Sequence, residues 1–443
     1  MNRYVQDAYI VAATRTPVGK APRGLLRNTR PDDLLVAAIR GALAAVPGLD
    51  PAAIEDALIG CAMPEAEQGL NVARAAVLYA GLPKSTAGCT VNRFCASGLN
   101  AVAMAADRIR VGEADIVLAG GVESMSMVPM GGNKPSYNPR LFEDDNLGIA
   151  FGMGLTAERV AAQWKVPREA QDRFALTSHE RAVMAQQRGE FRDEITPLDV
   201  IDRVPELATG EVTQRHRRLE TDEGPRVDTS LEVLARLKPA FAARGSVTAG
   251  NSSQMSDGAA ALILASDSAL RRFNLAPLAR FLSFAVRGVP PEIMGIGPVE
   301  AVPAALRAAG LRQDELGWIE LNEAFAAQSI AVIRTLELDA ERVNPLGGAI
   351  ALGHPLGATG AIRAATLVHG LRRRNLRYGM VTMCVGTGMG AAGVFERLWP
   401  ECAASCKIEG CLFPLRNLPN ERVRLHDDCA RWGRISVRRR PRG

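Results

Sequence analysis

Histidine is sparse in this chain: five residues among 443. Imidazole chemistry therefore falls on very few positions. No uncharged apolar run approaches about 18 residues, which excludes a membrane-spanning helix. Met1 to Asp7 holds no apolar segment and strand-like sequence begins at Ala8-Tyr9-Ile10-Val11, so no secretory signal is read here and a cytoplasmic protein is expected. Excess charge is missing from most of the chain. From Trp399 onward, Lys407 and nine arginines face five acidic residues, which accounts for the whole formal charge of +5. The neutral body asks for no nucleic acid partner.

Cysteine is also thinly spread. Cys61, Cys89, Cys95 and Cys384 lie in the body, while Cys402, Cys406, Cys411 and Cys429 crowd the tail. Thiols so spaced in an intracellular chain are expected to stay reduced. Cys89 and Cys95 lack the Cys-x-x-Cys spacing of a redox pair. The tail cysteines with His426 match no ordinary zinc finger, so no metal is expected and residues 399–443 read as a disordered basic extension.

What is present is a large apolar content, 47%, enough for two domains or one large paired unit. Strands are read at residues 8–13, 54–61 and 114–121, with helices between them at 32–45, 67–81 and 99–109. This βαβα alternation predicts a mostly parallel sheet covered by helices. From Val122 to about Ser246 the pattern gives way to methionine-, proline- and glycine-rich loops, with polar helices at 157–163 and 168–189. A long excursion from a compact fold is usually functional. Strands return at 260–265, 279–286, 316–321, 378–385 and 391–398, with helices at 298–309 and 360–371.

Cys95 sits in Thr90-Val91-Asn92-Arg93-Phe94-Cys95-Ala96-Ser97-Gly98-Leu99, just before the helix that carries Leu99, Val102, Ala103, Ala106 and Ile109. A helix N-terminus stabilises a thiolate, so the place suits a nucleophile. His354 lies in the tight loop Gly353-His354-Pro355-Leu356-Gly357-Ala358-Thr359-Gly360. Cys384 opens Cys384-Val385-Gly386-Thr387-Gly388-Met389-Gly390. Cys95, a helix and the strand to Gly120 echo His354, a helix and the strand to Cys384. In open α/β sheets, sites at the carboxyl ends of strands converge on one crevice.

These stretches, with Asn322-Glu323-Ala324-Phe325, resemble thiolases over roughly residues 7–398. The resemblance implies a five-layered αβαβα fold of two similar halves. The first spans 1–270 with a loop domain inserted at about 122–246, and the second spans 271–398. It implies Cys95 as the acyl-accepting nucleophile, and His354 as its base and a donor to one oxyanion. Cys384 would move the proton on the methyl carbon of acetyl-CoA, Asn322 would hold a water in the first oxyanion hole, and the amides of Cys95 and Gly386 would form the second. Arg226 is similar to the family's arginine beside the adenine of CoA and Ser253 to its serine beside the pantetheine. Phe325 and Met153 would line the pantetheine and acyl channel. Coenzyme A is then a substrate, and no other cofactor is implied.

Thiolases specialised for acetoacetyl-CoA carry a histidine before the Met-Gly of the loop domain, and Phe151-Gly152-Met153-Gly154 lacks it. Together with Glu67-Gln68-Gly69-Leu70-Asn71-Val72-Ala73-Arg74, this favours a degradative 3-ketoacyl-CoA thiolase of fatty acid β-oxidation. The alternatives are an acetoacetyl-CoA thiolase, a condensing ketosynthase, which would use Cys with two histidines, and a non-catalytic acyl-CoA or lipid-binding relative. A homodimer or homotetramer is implied, as is a complex with a hydratase/dehydrogenase subunit.

Overall fold

The computed structural model describes residues 5–143 and 145–398, so the expectations for the tail, its cysteines and His426 fall outside the described residues. The first half runs β1 (Tyr9–Arg15), β2 (Gly19–Lys20), α1 (Pro31–Ala44), β3 (Asp56–Gly60), α2 (Val72–Ala80), β4 (Cys89–Val91), α3 (Ser97–Arg110) and β5 (Ile116–Ser124). An insertion follows, with α4 (Met153–Gln163), α5 (Arg168–Gln187), the hairpin β6 (Leu198–Pro205) and β7 (Val212–Leu219), and α6 (Leu231–Ala235). β8 (Ser256–Ala265) and α7 (Asp267–Phe273) lead into β9 (Ala279–Gly288), α8 (Gly297–Ala309), β10 (Leu316–Leu321), α9 (Ala326–Thr335) and α10 (Ala349–Leu352). The last elements are α11 (Leu356–Arg373), β11 (Tyr378–Val385) and β12 (Met389–Arg397).

All strands but β6 and β7 join one sheet, in the order β10-β11-β12-β9-β1-β8-β5-β3-β4 with β2 beside β8. The two halves use one plan. β3/β5 and β10/β11 are parallel, whereas β5/β8, β8/β1, β11/β12 and β12/β9 are antiparallel. The expectation of a mostly parallel sheet is thus corrected to a mixed one. The reason is visible at Gly386-Thr387-Gly388, where Thr387 (φ 68°) and Gly388 (φ 87°) turn the chain tightly between β11 and β12. So short a link can only join antiparallel neighbours. The halves meet through two pairs, Tyr9 with Arg280 and Ile10 with Ala279.

Alternation along each strand builds the layers. Ile116 and Leu118 of β5, with Ala261 and Ile263 of β8, pack under α1 and α2. Their neighbours Val117, Ala119, Leu262 and Leu264 face α3 and α11 instead, as do Val381 and Met383 of β11. Met380 and Val394 turn outward to α8. The sequence of layers is therefore helix, sheet, helix, sheet, helix, as expected. α3 and α11 fill the middle, so α11 is buried on every side along most of its length. The two central helices touch backbone to backbone: a Cβ on Gly360 would stand 2.3 Å from the Leu99 nitrogen.

The insertion is more ordered than its composition suggests. Met153 opens α4, and α5 buries Ala175, Ser178, His179 and Ala182 instead of lying as a polar surface helix. Of the β6–β7 hairpin, β7 carries no apolar alternation because it is exposed at every position but Leu219. Buried Arg15 on β1 ties the insertion down through Glu194 at 2.6 Å and Asp222 at 2.7 Å.

Candidate active site

Cys95 stands in the single 3-10 turn Phe94–Ala96 that leads into α3. The turn is held from both sides. The Arg93 backbone donates to Ser97 Oγ at 2.8 Å, and Ser97 Oγ donates to the Phe94 carbonyl at 2.7 Å. It packs on α11 and β11, the elements that bear the other candidates. Cys95 is 8% exposed. Burial pushes its thiol up to about 11; the nearby backbone amides of Gly386 and of Cys95 itself pull the other way, and the Glu123 charge acts with burial. This corrects the expectation of a helix-stabilised thiolate: at rest Cys95 is a thiol.

His354 is brought to the turn by α11. Gly353 before it takes φ 93°, a region glycine enters without strain. The His354 amide bonds the Gln254 carbonyl at 3.0 Å and Ser256 Oγ at 3.1 Å. Its Nδ1 lies 2.7 Å from Thr359 Oγ1, one turn along α11. Burial, aided by the Arg363 charge, lowers its pKa to about 3, so the ring is neutral. A neutral imidazole that donates Nδ1–H to Thr359 leaves Nε2 as an acceptor. Asn322 Nδ2 donates to it at 3.3 Å.

Asn322 ends β10, and its backbone nitrogen donates to the Thr382 carbonyl on β11 at 2.9 Å, two residues before Cys384. Its Oδ1 is buried with no hydrogen-bond partner among the described residues. Such an atom is available to a small polar ligand. Cys384 is fully buried, and burial followed by the neighbouring Cys95 raises its thiol far above the ordinary range. Two protonated thiols, a neutral imidazole and two inward amides can move protons without holding a resting charge.

Gly386 faces Met153 Sδ and the Phe94 ring. Met153 packs against the cluster that holds Phe325, Met294, Val247 and Cys384, so the two residues expected along the channel lie with Cys384. Phe241, which the sequence reading passed over, stacks edge-on against Phe325 with ring centroids 6.0 Å apart. Ser253 is half-buried beside this wall, its amide bonded to the Ala324 carbonyl at 2.9 Å. Arg226 is not drawn into the centre. Its side chain is exposed, while its backbone donates to His179 Nδ1 at 3.2 Å. The structure thus brings Cys95, His354, Cys384, Asn322, Gly386, Phe325 and Met153 into one neighbourhood, and leaves Arg226 exposed outside it.

Two further residues went unread. Thr359 lies five positions after His354, and Glu123 is a carboxylate at the end of an otherwise apolar strand. That break in the apolar run of β5 was the available signal for Glu123. No group of metal-ligating side chains occurs among the described residues.

The family model for the thiolase N-terminal domain matches residues 8–268, and that for the thiolase C-terminal domain matches residues 275–397. The 3-ketoacyl-CoA thiolase of Bacillus subtilis (strain 168) is 50% identical over 398 residues, 88% of this chain and 100% of that protein. The peroxisomal 3-ketoacyl-CoA thiolase A of Mus musculus is 48% identical over 394 residues, 88% of this chain and 91% of that protein. Among solved structures, human mitochondrial 3-ketoacyl-CoA thiolase in complex with CoA aligns with TM-score 0.79 at 38% identity, covering 89% of this chain and 98% of that one. The Bacillus anthracis acetyl-CoA acetyltransferase aligns with TM-score 0.80 at 37% identity, covering 90% and 100%. With both halves matched and half the residues shared with a relative along that relative's full length, the chain belongs to the thiolase family.

Proposed function

We propose that this chain cleaves 3-oxoacyl-CoA with CoA, giving acetyl-CoA and an acyl-CoA two carbons shorter, as in fatty acid β-oxidation. The observation that carries the reading is the convergence of Cys95, Cys384 and the neutral His354–Asn322 pair. His354 Nε2 takes the Cys95 proton as the sulfur attacks the keto carbon. The amides of Cys95 and Gly386 hold the resulting alkoxide. Collapse breaks the C2–C3 bond, and the electron pair passes to the thioester enolate, held by His354 Nε2–H and by a water on Asn322. Cys384 gives its proton to C2, and acetyl-CoA leaves. CoA then returns a proton to Cys384, and its sulfur attacks the acyl-Cys95 thioester. Cys95 leaves as a thiolate and regains the proton on His354. The two half-reactions form a double displacement.

Supporting the degradative type are the relatives named 3-ketoacyl-CoA thiolase and the absence of histidine from Phe151–Gly154. An acetoacetyl-CoA-specific enzyme is the second reading, favoured by the alignment with an acetyl-CoA acetyltransferase. CoA is a substrate in either case, with Arg226 at its adenine, Ser253 at its pantetheine and Phe325 and Met153 along the chain. We read residues 1–270 and 271–398 as the two halves, the protein as cytoplasmic and its assembly as a homodimer or homotetramer. The edge position of β4 supports pairing with a second copy. Docking to a hydratase/dehydrogenase subunit is the remaining expectation of the reading.

The test is cleavage of acetoacetyl-CoA and 3-oxohexadecanoyl-CoA by wild type and Cys95→Ala, with intact mass recorded before CoA is added. An acyl adduct on wild type only, with turnover of the long substrate at least matching the short, supports the degradative enzyme. Turnover of the short substrate alone supports the second reading. Undiminished turnover without Cys95 overturns both.

A further inference from the structure

Gln254 lies half-buried between Ser253 and Met255, just before β8. Its Nε2 donates towards three backbone carbonyls, those of Ile350 at 3.0 Å, Ala351 at 3.1 Å and Gly224 at 3.1 Å. Only the NH2 end of an amide can face three carbonyl oxygens, so the direction of the side chain is settled. Its backbone carbonyl accepts from the His354 amide at 3.0 Å and from Ser256 Oγ at 2.8 Å.

Two of these contacts stand in for a turn of helix. In a continuing α-helix the amide of residue 354 would bond the carbonyl of residue 350, four positions back. Here α10 ends at Leu352, Gly353 turns the chain at φ 93° and the two groups part. Gln254 takes both, donating from Nε2 to the Ile350 carbonyl and accepting from His354 on its own carbonyl. The last carbonyls of a helix need partners from outside it, and Gln254 supplies them for Ile350 and Ala351. The bend that brings His354 to Asn322 is thus closed from another part of the chain.

The third contact reaches the insertion. Gly224 stands two residues before Arg226, and a Cβ on it would lie 2.1 Å from the Ala351 carbonyl. The segment therefore lays bare backbone against the end of α10, where Gln254 holds Gly224 and His179 holds the Arg226 amide.

We propose that Gln254 is a positioning residue for thiolysis: its side chain joins the end of α10, which presents His354, to the segment that presents Arg226, and so sets the base and the CoA contact in one frame. This rests on the reading of His354 as the base and of Arg226 as a CoA contact.

Two variants test the donor. Gln254→Met keeps the reach without a polar group, and Gln254→Glu keeps the shape but turns oxygens toward the carbonyls. kcat and KM are measured on acetoacetyl-CoA with CoA, and on acetoacetyl-pantetheine with pantetheine, a pair that lacks the nucleotide. The Kd for CoA is measured by calorimetry, which needs no turnover. Both variants should lose at least about tenfold in kcat on both pairs, since carbonyls beside the base are left unpaired. KM for the CoA pair and the Kd for CoA should rise at least about threefold, while KM for the pantetheine pair stays within about twofold. A residue that served folding alone would not separate the two pairs.

A kcat within about twofold of wild type in either folded variant overturns the proposal. So does an equal rise of KM on the two pairs, or a loss of kcat with CoA affinity unchanged, because Gln254 would then not join the two segments. Failure of both variants to fold overturns it as well, making Gln254 a residue of the fold alone. A wild-type chain that binds CoA but cleaves neither substrate refutes the thiolase reading instead, and weaker CoA binding by Gln254→Met would still support the link to the Arg226 segment.

Discussion

Asn322 Nδ2 lies 3.3 Å from His354 Nε2, across the junction between β10 and the head of α11. The amide Nδ2 can only donate, so Nε2 accepts and the ring proton sits on Nδ1, which donates to Thr359 Oγ1 at 2.7 Å. Thr359, on α11, thus holds the ring in place from the side opposite Asn322.

Replacing Thr359 by Val should therefore lower kcat for thiolysis by about 10- to 100-fold, the equivalent of ~1–3 kcal/mol, with little change in KM. Thr359→Ser should retain most of the rate. Steady-state kinetics on acetoacetyl-CoA decides it, and equal rates for Val and Ser variants would show that the hydroxyl does not orient the ring.

His354 keeps its proton off down to about pH 3, and His179 down to about pH 4, because both are buried. In the unfolded chain each titrates near 6.5. Between these values the unfolded state binds more protons, so stability falls as the pH drops below 6.5. Denaturant midpoints at pH 7 and pH 5 should differ in that direction, and by less in His354→Gln. Identical pH slopes for wild type and variant would contradict a buried neutral ring.

Cys384→Ala should cut cleavage of acetoacetyl-CoA by roughly 10²- to 10⁴-fold, the range for loss of a general acid. Alkylation of Cys95 should continue in this variant. Full activity without Cys384 would move the carbon protonation to another group.

Gly360→Ala places a methyl 2.3 Å from the Leu99 nitrogen and 2.7 Å from Leu99 Cβ. Overpacking of this kind costs about 1–3 kcal/mol or more. The melting temperature should fall by several degrees, while Gly152→Ala, which meets nothing within 4 Å, should leave it nearly unchanged. Equal melting temperatures would mean that α3 and α11 can separate without loss.

The candidate catalytic positions were legible because their motifs are local. His354, Cys384 and Asn322 each come at or near the end of an apolar run, and Cys95 stands in a short motif just before a helix. Thr359 lay inside such a motif but gave no sign of facing His354, since that depends on how the loop over Gly353 to Pro355 folds back on α11. Phe241 lay in a loop whose partner, Phe325, is 84 positions away.

By itself the sequence showed the alternation of strands and helices, since buried strands read as apolar runs, and its resemblance to thiolases implied the five layers. It showed a faint repeat of two halves, and its resemblance to thiolases singled out Cys95, His354 and Cys384 as the candidates for nucleophile, base and second thiol. Strand direction, the order of the insertion and the protonation of the site were decided only in three dimensions. Local periodicity does not say whether a strand runs with or against its neighbour, and β7 shows that an exposed strand has no apolar pattern to read. The helix start before α3 suggested a thiolate, but that is one short-range effect. Burial beneath β11 and α11 outweighs it and pushes the Cys95 thiol up to about 11.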